Sequence, residues 1–140
     1  DLVIFTTFCR QQDDGHFLCF GLHPQFFQDT DAVLFRQHDV RAIFAYNACF
    51  DRNHLPELRD YDWHDIMRLA AYRQHNPKIP AAADCCATGR LKRGYGVEAM
   101  LRLLSGKHTY HETHNAFFDA RDELEIMRLL AHDLKAYPPL

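Results

Sequence analysis

Residues 41–51, which read RAIFAYNACFD, decide the fold that we predict for this chain. The first half of the segment, residues 41–46, is short and apolar, as is typical of a buried strand. Asn47 closes this strand, a small residue follows, and the carboxylate of Asp51 then lies at the start of a helix. A buried strand that turns directly into a helix indicates a domain in which helices pack on a sheet.

The residues before this segment are rich in β-branched and aromatic types, which favour strands. We predict strands over residues 2–8 and 16–22, joined as a hairpin by the turn signal at residues 13–15. A short helix is predicted over residues 32–37, after a run of residues that favour helix N-caps.

The second half of the sequence is predicted to be mainly helical. The spacing of apolar residues and the helix stop signals predict helices over residues 51–59, 63–75, 97–104 and 119–137. Residues 78–95 contain Pro, Ala and Gly and are predicted to form a loop. We therefore expect an α/β domain with a small mixed β-sheet flanked by helices.

Length and composition limit the function classes. The chain has 140 residues, which suits a single domain over residues 1–140, and it opens with Asp1, so a missing N-terminal segment is an open alternative. A formal charge of −3 excludes nucleic-acid binding by net positive charge alone. No apolar run is long enough for a membrane span. Five cysteines without a Cys-x-x-Cys pair favour a reducing, cytoplasmic location.

Two further segments carry candidate functional residues. His114 lies five residues before Asp119 at the mouth of the last predicted helix, and a His can move a proton near neutral pH. Asp51 and Asp119 could each hold a hard divalent cation, although a carboxylate that supports the first turn of a helix explains either one alone. The acidic residues after Asp119 are interpreted as a solvated face.

A basic loop follows in the middle of the chain. Arg90, Lys92 and Arg93 lie between glycines, where they could meet phosphates, and Tyr95 could stack on a base. The alternative is that these cations are only solvated.

Together, these segments resemble the DEDDh 3′–5′ exonucleases, the DnaQ-like and ribonuclease T-like family. Residues 47–51, NACFD, are similar to its second motif, and residues 114–120, HNAFFDA, are similar to its third. The resemblance covers about residues 42–134 and implies a ribonuclease H-like fold and hydrolysis of phosphodiester bonds at single-stranded DNA or RNA 3′ ends. It implies that Asp51 and Asp119 are ligands of Mg²⁺ or Mn²⁺, that His114 is the general base, and that Asn47 contacts the nucleic acid.

The first motif of the family, Asp-x-Glu on the opening strand, has no match. If residues 2–8 form that strand, Thr6 and Phe8 stand where the two carboxylates are expected. The alternative is that the opening strand lies upstream of Asp1. Two metal ions are expected only if this motif is supplied, because its carboxylates normally bridge both ions.

Three other hypotheses stay open at this stage. The chain could be a catalytically weakened module of the same fold that binds nucleic acid or a protein partner. His108, His111 and His114 recur at intervals of three and could bind zinc, although the residues between them favour a loop. The last helix of the superfamily sometimes dimerises, so its apolar stripe fits either a homodimer or core packing.

Overall fold

The structure is a computed structural model, and it describes residues 4–8, 20–22, 40–113 and 116–140. The predicted helix over residues 32–37 and the candidate base His114 lie outside these ranges. The described strands are β1 (Ile4–Phe8), β2 (Phe20–Leu22), β3 (Ala42–Ala45) and β4 (Asp62–Asp65). The helices are α1 (Ala48–His54), α2 (Met67–Ala70), α3 (Val97–Ser105) and α4 (Ala116–Leu130), with 3-10 turns at Pro56–Leu58 and Leu134–Ala136.

The described strands form a four-stranded sheet in the order β2-β1-β3-β4. β1 pairs antiparallel with both β2 and β3, whereas β3 pairs parallel with β4 from Ala42 opposite Asp62 to Ala45 opposite Asp65. This is the small mixed sheet that the sequence predicts, and the α/β class is confirmed. Strand β4 is a finding of the structure, since the sequence assigns its residues to a helix.

Helices cover both faces of the sheet because successive residues of β3 point to opposite sides. Ile43 and Ala45 pack with Leu55, Leu58 and other residues around α1. Phe44 instead joins the larger cluster, which is built from α2, α3, α4 and the segments before α3 and after α4. The strand is buried from both sides, which explains its almost uninterrupted apolar sequence.

The predicted helix over residues 63–75 is wrong. Residues 62–65 form β4, the single helical turn Met67–Ala70 follows, and turns continue from there. Parallel pairing with β3 and burial of Trp63 and Asp65 favour the strand over the local helical spacing. The outer edge of β4 is covered by the C-terminal residues, where Leu140 N–H donates to the Trp63 carbonyl (3.0 Å).

The other helices differ from prediction mainly at their ends. α1 begins three residues before Asp51 and ends before Pro56, which starts a separate 3-10 turn. α3 matches its prediction to within one residue, and Gly106 caps its C-terminal end. α4 runs from Ala116 to Leu130, so it starts earlier and stops well before residue 137. In the described part of the chain, no helix is long and apolar enough to cross a membrane.

Candidate functional site

The candidate site is built around the turn that joins β3 to α1. Asn47 adopts a left-handed conformation there (φ 64°, ψ 48°), which Asn tolerates better than most residues. The N–H of Tyr46 donates to Glu123 Oε2 (3.1 Å), and the N–H of Asn47 donates to Asp65 Oδ1 (3.1 Å). Carboxylates from α4 and β4 therefore meet at one strand-to-helix turn.

Asp65 connects this turn to the next element of the chain. Its Oδ1 also accepts from the N–H of Met67 (2.9 Å), and Arg68 Nε lies 4.0 Å from Oδ2. Burial is the main reason that the pKa of Asp65 is raised, while the backbone donors and Arg68 act in the opposite direction. Asp65 thus holds the ends of two parallel strands and the start of α2 together.

Sequence analysis missed Asp65 because it placed the residue inside a helix. One signal could have helped to locate it, since an Asp that bonds the backbone N–H two residues later is a common turn device.

Glu123 and Asp119 lie one turn apart on the same face of α4. Both are about 1% exposed, so neither belongs to the solvated acidic face predicted for this helix. That interpretation is wrong for Glu123, whereas Asp122 is half-buried and Glu125 is exposed. The buried face of α4 thus carries two carboxylates toward the protein interior.

The side chain of Tyr46 lies close to both carboxylates that hold its turn. Its hydroxyl donates to the Tyr95 carbonyl, which links β3 to the predicted basic loop. The pKa of Tyr46 is raised, first by burial and then by the charges of Asp65 and Glu123. Tyr46 is therefore a neutral hydrogen-bond donor at the site.

Asp51 and Asp119, the two predicted metal ligands, are both buried. Asp51 lies in the first turn of α1, and Asp119 lies in the first turn of α4. Carboxylates are the donors that Mg²⁺ and Mn²⁺ prefer. Among the described residues, however, no group of three or more His, Cys, Asp or Glu side chains could hold a metal ion. The described residues do not complete the predicted metal site. The histidine zinc hypothesis includes His114 and therefore lies partly outside the described residues.

A cleft of about 320 Å³ opens beside the turn after β3. It brings together three of the five predicted nucleic-acid contacts, namely Asn47, Arg90 and Tyr95, with Tyr46, Met67 and Gly96 in the remaining wall. The guanidinium of Arg90 lies 4.8 Å from the centre of the Tyr95 ring, as in a cation–π pair. The cleft thus presents one cation and one aromatic face side by side.

The other two predicted contacts, Lys92 and Arg93, are exposed and do not line this cleft. Lys92 Nζ lies 2.9 Å from Asp84 Oδ1, and this hydrogen bond is the main reason that the pKa of Lys92 is raised. The charge of Lys92 is therefore largely compensated within its own loop.

The register of β1 bears on Thr6 and Phe8. β1 runs antiparallel to β3, with Thr7 opposite Phe44 and Phe8 opposite Ile43. From Thr6 to Phe8 the backbone therefore moves away from the end of β3 that carries Asn47. This register does not test whether Thr6 and Phe8 stand in place of the first-motif carboxylates, so both alternatives stay predictions.

Comparison with known proteins adds nothing to this geometry. No family model, curated protein or solved structure matches the chain.

Proposed function

We propose that this chain is a metal-dependent 3′–5′ exonuclease of ribonuclease H-like fold that acts on the ends of single-stranded DNA or RNA. The observation that carries the proposal is the cleft at the end of β3, where Asn47, Arg90 and Tyr95 converge. Open α/β sheets bind ligands outside the carboxyl ends of their strands, and this cleft lies at such an end. A cytoplasmic location belongs to the same proposal.

In this proposal, the residues of the cleft bind and orient the terminal nucleotide. Arg90 neutralises a phosphate, Tyr95 stacks on a base, and the Asn47 side chain contacts the sugar–phosphate backbone. His114 takes a proton from the attacking water. Asp51 and Asp119 would hold Mg²⁺ or Mn²⁺, which stabilises the charge on the phosphate when it is bound.

A second candidate function is a catalytically weakened or inactive module that binds nucleic acid. The incomplete set of metal ligands among the described residues favours this alternative. Loss of the first-motif carboxylates would lower the rate of hydrolysis by orders of magnitude. The ligands of one metal site act together, so removing some of them disables the whole site.

A gel assay on 5′-labelled single-stranded DNA and RNA, with Mn²⁺ and with EDTA, separates the two functions. The variants are Asp51→Asn and Asp119→Asn, which keep the side-chain shape. Asp60→Asn is the matched control, because Asp60 is exposed. The exonuclease predicts a metal-dependent ladder that shortens from the 3′ end, and a loss of about 100-fold or more in both buried variants.

Three results would contradict or redirect the proposal. A ladder that persists in EDTA, or that is equally strong in Asp51→Asn and Asp119→Asn, rules out the proposed ligands. The absence of a ladder from folded protein that still binds the oligonucleotide favours the binding module. Protein that neither cleaves nor binds excludes both functions. Circular dichroism on each variant verifies that it is folded.

A further inference from the structure

A second groove, of about 590 Å³, lies between α4 on one side and α3 with the loop that follows it on the other. Phe117 and Phe118, which follow each other at the start of α4, line this groove although they are 50% and 46% exposed. Their ring centres lie 5.6 Å apart with an angle of 74° between the planes. Two neighbouring exposed phenylalanines form an apolar surface that a folded protein ordinarily buries or uses for binding.

One cation lies close to both rings of this aromatic pair, and two more line the groove. The guanidinium carbon of Arg121 lies 5.9 Å from each of the two ring centres. Exposed Lys107 and Arg128 line the same groove. Aromatic faces and positive charge are therefore present on the same wall.

The carboxylates of the groove are already engaged. Asp122 accepts a hydrogen bond from the hydroxyl of Tyr110, and Glu125 Oε2 lies 3.8 Å from Arg128 Nη1. Arg121 also interacts with the charge of Asp122, and Lys107 and Arg121 are the cations that we assign to an anionic ligand. The groove has local positive charge although the whole chain carries −3.

This combination has a chemical counterpart in single-stranded nucleic acid. Unpaired bases stack on exposed aromatic side chains, and the phosphates beside them meet Lys and Arg. A duplex does not fit this chemistry, because its bases already stack on each other. An apolar peptide would use the two phenylalanines but would leave the cations without a role.

We propose that the groove between α3 and α4 is a second binding site for single-stranded nucleic acid, in which bases stack on Phe117 and Phe118 and phosphates contact Lys107 and Arg121. This site deepens the proposed function. The direction in which the strand runs through it rests on the proposed 3′–5′ exonuclease activity. In this proposal the groove holds nucleotides beyond the terminal one, which the cleft at the end of β3 binds.

Fluorescence anisotropy in EDTA tests this site without any hydrolysis. The probes are labelled single strands of about three and about fifteen nucleotides, lengths below and near the upper end of ordinary site sizes. The test variant is Phe117→Ala/Phe118→Ala. The matched control is Phe50→Ala, since Phe50 is 41% exposed but lies on α1 and outside the groove.

We expect the double variant to bind the longer strand at least about 10-fold more weakly, because each base–aromatic stack contributes substantially to affinity. The short strand and Phe50→Ala should change by less than about 2-fold. A second variant, Phe117→Leu/Phe118→Leu, keeps the apolar volume and should also lose affinity if stacking is responsible. Thermal unfolding verifies that both variants are folded.

The outcomes separate this inference from the nuclease itself. Weaker binding of the long strand in protein that shows no ladder supports the groove and rejects hydrolysis. Unchanged binding in folded double variants overturns the groove, as does an equal loss for short and long strands. Wild-type protein that does not bind the long strand overturns it as well.

Discussion

At the scale of single residues, two buried carboxylates fix the conformation of the Tyr46–Asn47 turn. Glu123 and Asp65 are almost fully buried, and each accepts a backbone N–H from that turn. Buried charged groups are tolerated when hydrogen bonds replace their lost hydration. The position of the candidate cleft therefore depends on these two acceptors.

Removing the acceptor at position 123 should destabilise the fold. We expect Glu123→Ala to lower the free energy of unfolding by about 2–4 kcal/mol, because the Tyr46 N–H loses its partner and a cavity forms. Glu123→Gln should cost less, since its amide oxygen still accepts. Urea unfolding gives the values.

Glu125→Ala is the matched control for this series. Glu125 lies two residues along the same helix, is exposed and makes only a surface ion pair at 3.8 Å. Such pairs contribute about 0–1 kcal/mol. Equal losses in Glu123→Ala and Glu125→Ala would show that the buried acceptor is unimportant.

The raised pKa of Asp65 predicts that the free energy of unfolding depends on pH. Burial raises its pKa in the folded protein, so the folded state binds the proton more tightly than the unfolded state does. The resulting stabilisation is fully present below the ordinary Asp pKa of about 3.9 and is lost as the pH rises through the raised value. The free energy of unfolding should therefore fall across this window in the wild-type chain.

Asp65→Asn cannot ionise, so its stability should fall less over the same window. Urea unfolding at a series of pH values measures the difference between the two proteins. The exposed Asp60→Asn variant should follow the wild-type profile. Parallel profiles for wild type and Asp65→Asn would contradict the prediction.

At the scale of elements, the ends of α3 and α4 use the same backbone device with different residues. Gly106 N–H donates to the Arg102 carbonyl (3.0 Å), and Ala131 N–H donates to the Met127 carbonyl (3.1 Å). Both residues have positive φ, 73° and 54° respectively. This left-handed helix end suits Gly and strains Ala.

Reciprocal substitutions at these two positions should have opposite effects. Gly106→Ala should destabilise the protein by about 1 kcal/mol, and Ala131→Gly should stabilise it by up to about 1 kcal/mol. An added Cβ at Gly106 meets nothing within 4 Å, so the expected loss comes from the backbone alone. Thermal unfolding of both variants measures the two shifts, and shifts of the same sign would contradict the argument.

At the scale of the whole molecule, nucleic-acid binding must rest on a few local cations, because the chain carries −3. Arg90 lines the cleft, and Lys107 and Arg121 line the groove. For single strands, each neutralised phosphate contributes about −0.7 to the slope of log affinity against log salt. We expect a shallow slope, between about −1.5 and −3.

Titration of anisotropy with salt tests this expectation. Arg90→Ala should make the slope less negative by about 0.7. Lys92→Ala is the control, and it should leave the slope nearly unchanged because Lys92 is paired with Asp84 at 2.9 Å. A slope steeper than about −5 would indicate phosphate contacts that these cations do not account for.

The amino-acid sequence by itself determined the elements whose signals are local. The apolar run of β3, the strand signals of β1 and β2, and the Gly106 stop of α3 are all confirmed. The sequence suggested Asn47, Arg90 and Tyr95 as separate nucleic-acid contacts, Asn47 by family resemblance, and the structure places these three around one cleft.

Only the tertiary structure decided which carboxylates hold the turn beside that cleft. The apolar residues after Trp63 have helical spacing in the sequence, yet pairing with β3 makes residues 62–65 a strand, since a sheet is stabilised by partners distant in the chain. Glu123 looks like a surface residue until its contact with the Tyr46 N–H, 77 positions away, is formed. Burial and long-range hydrogen bonds are properties of the folded molecule, so local sequence patterns cannot specify them.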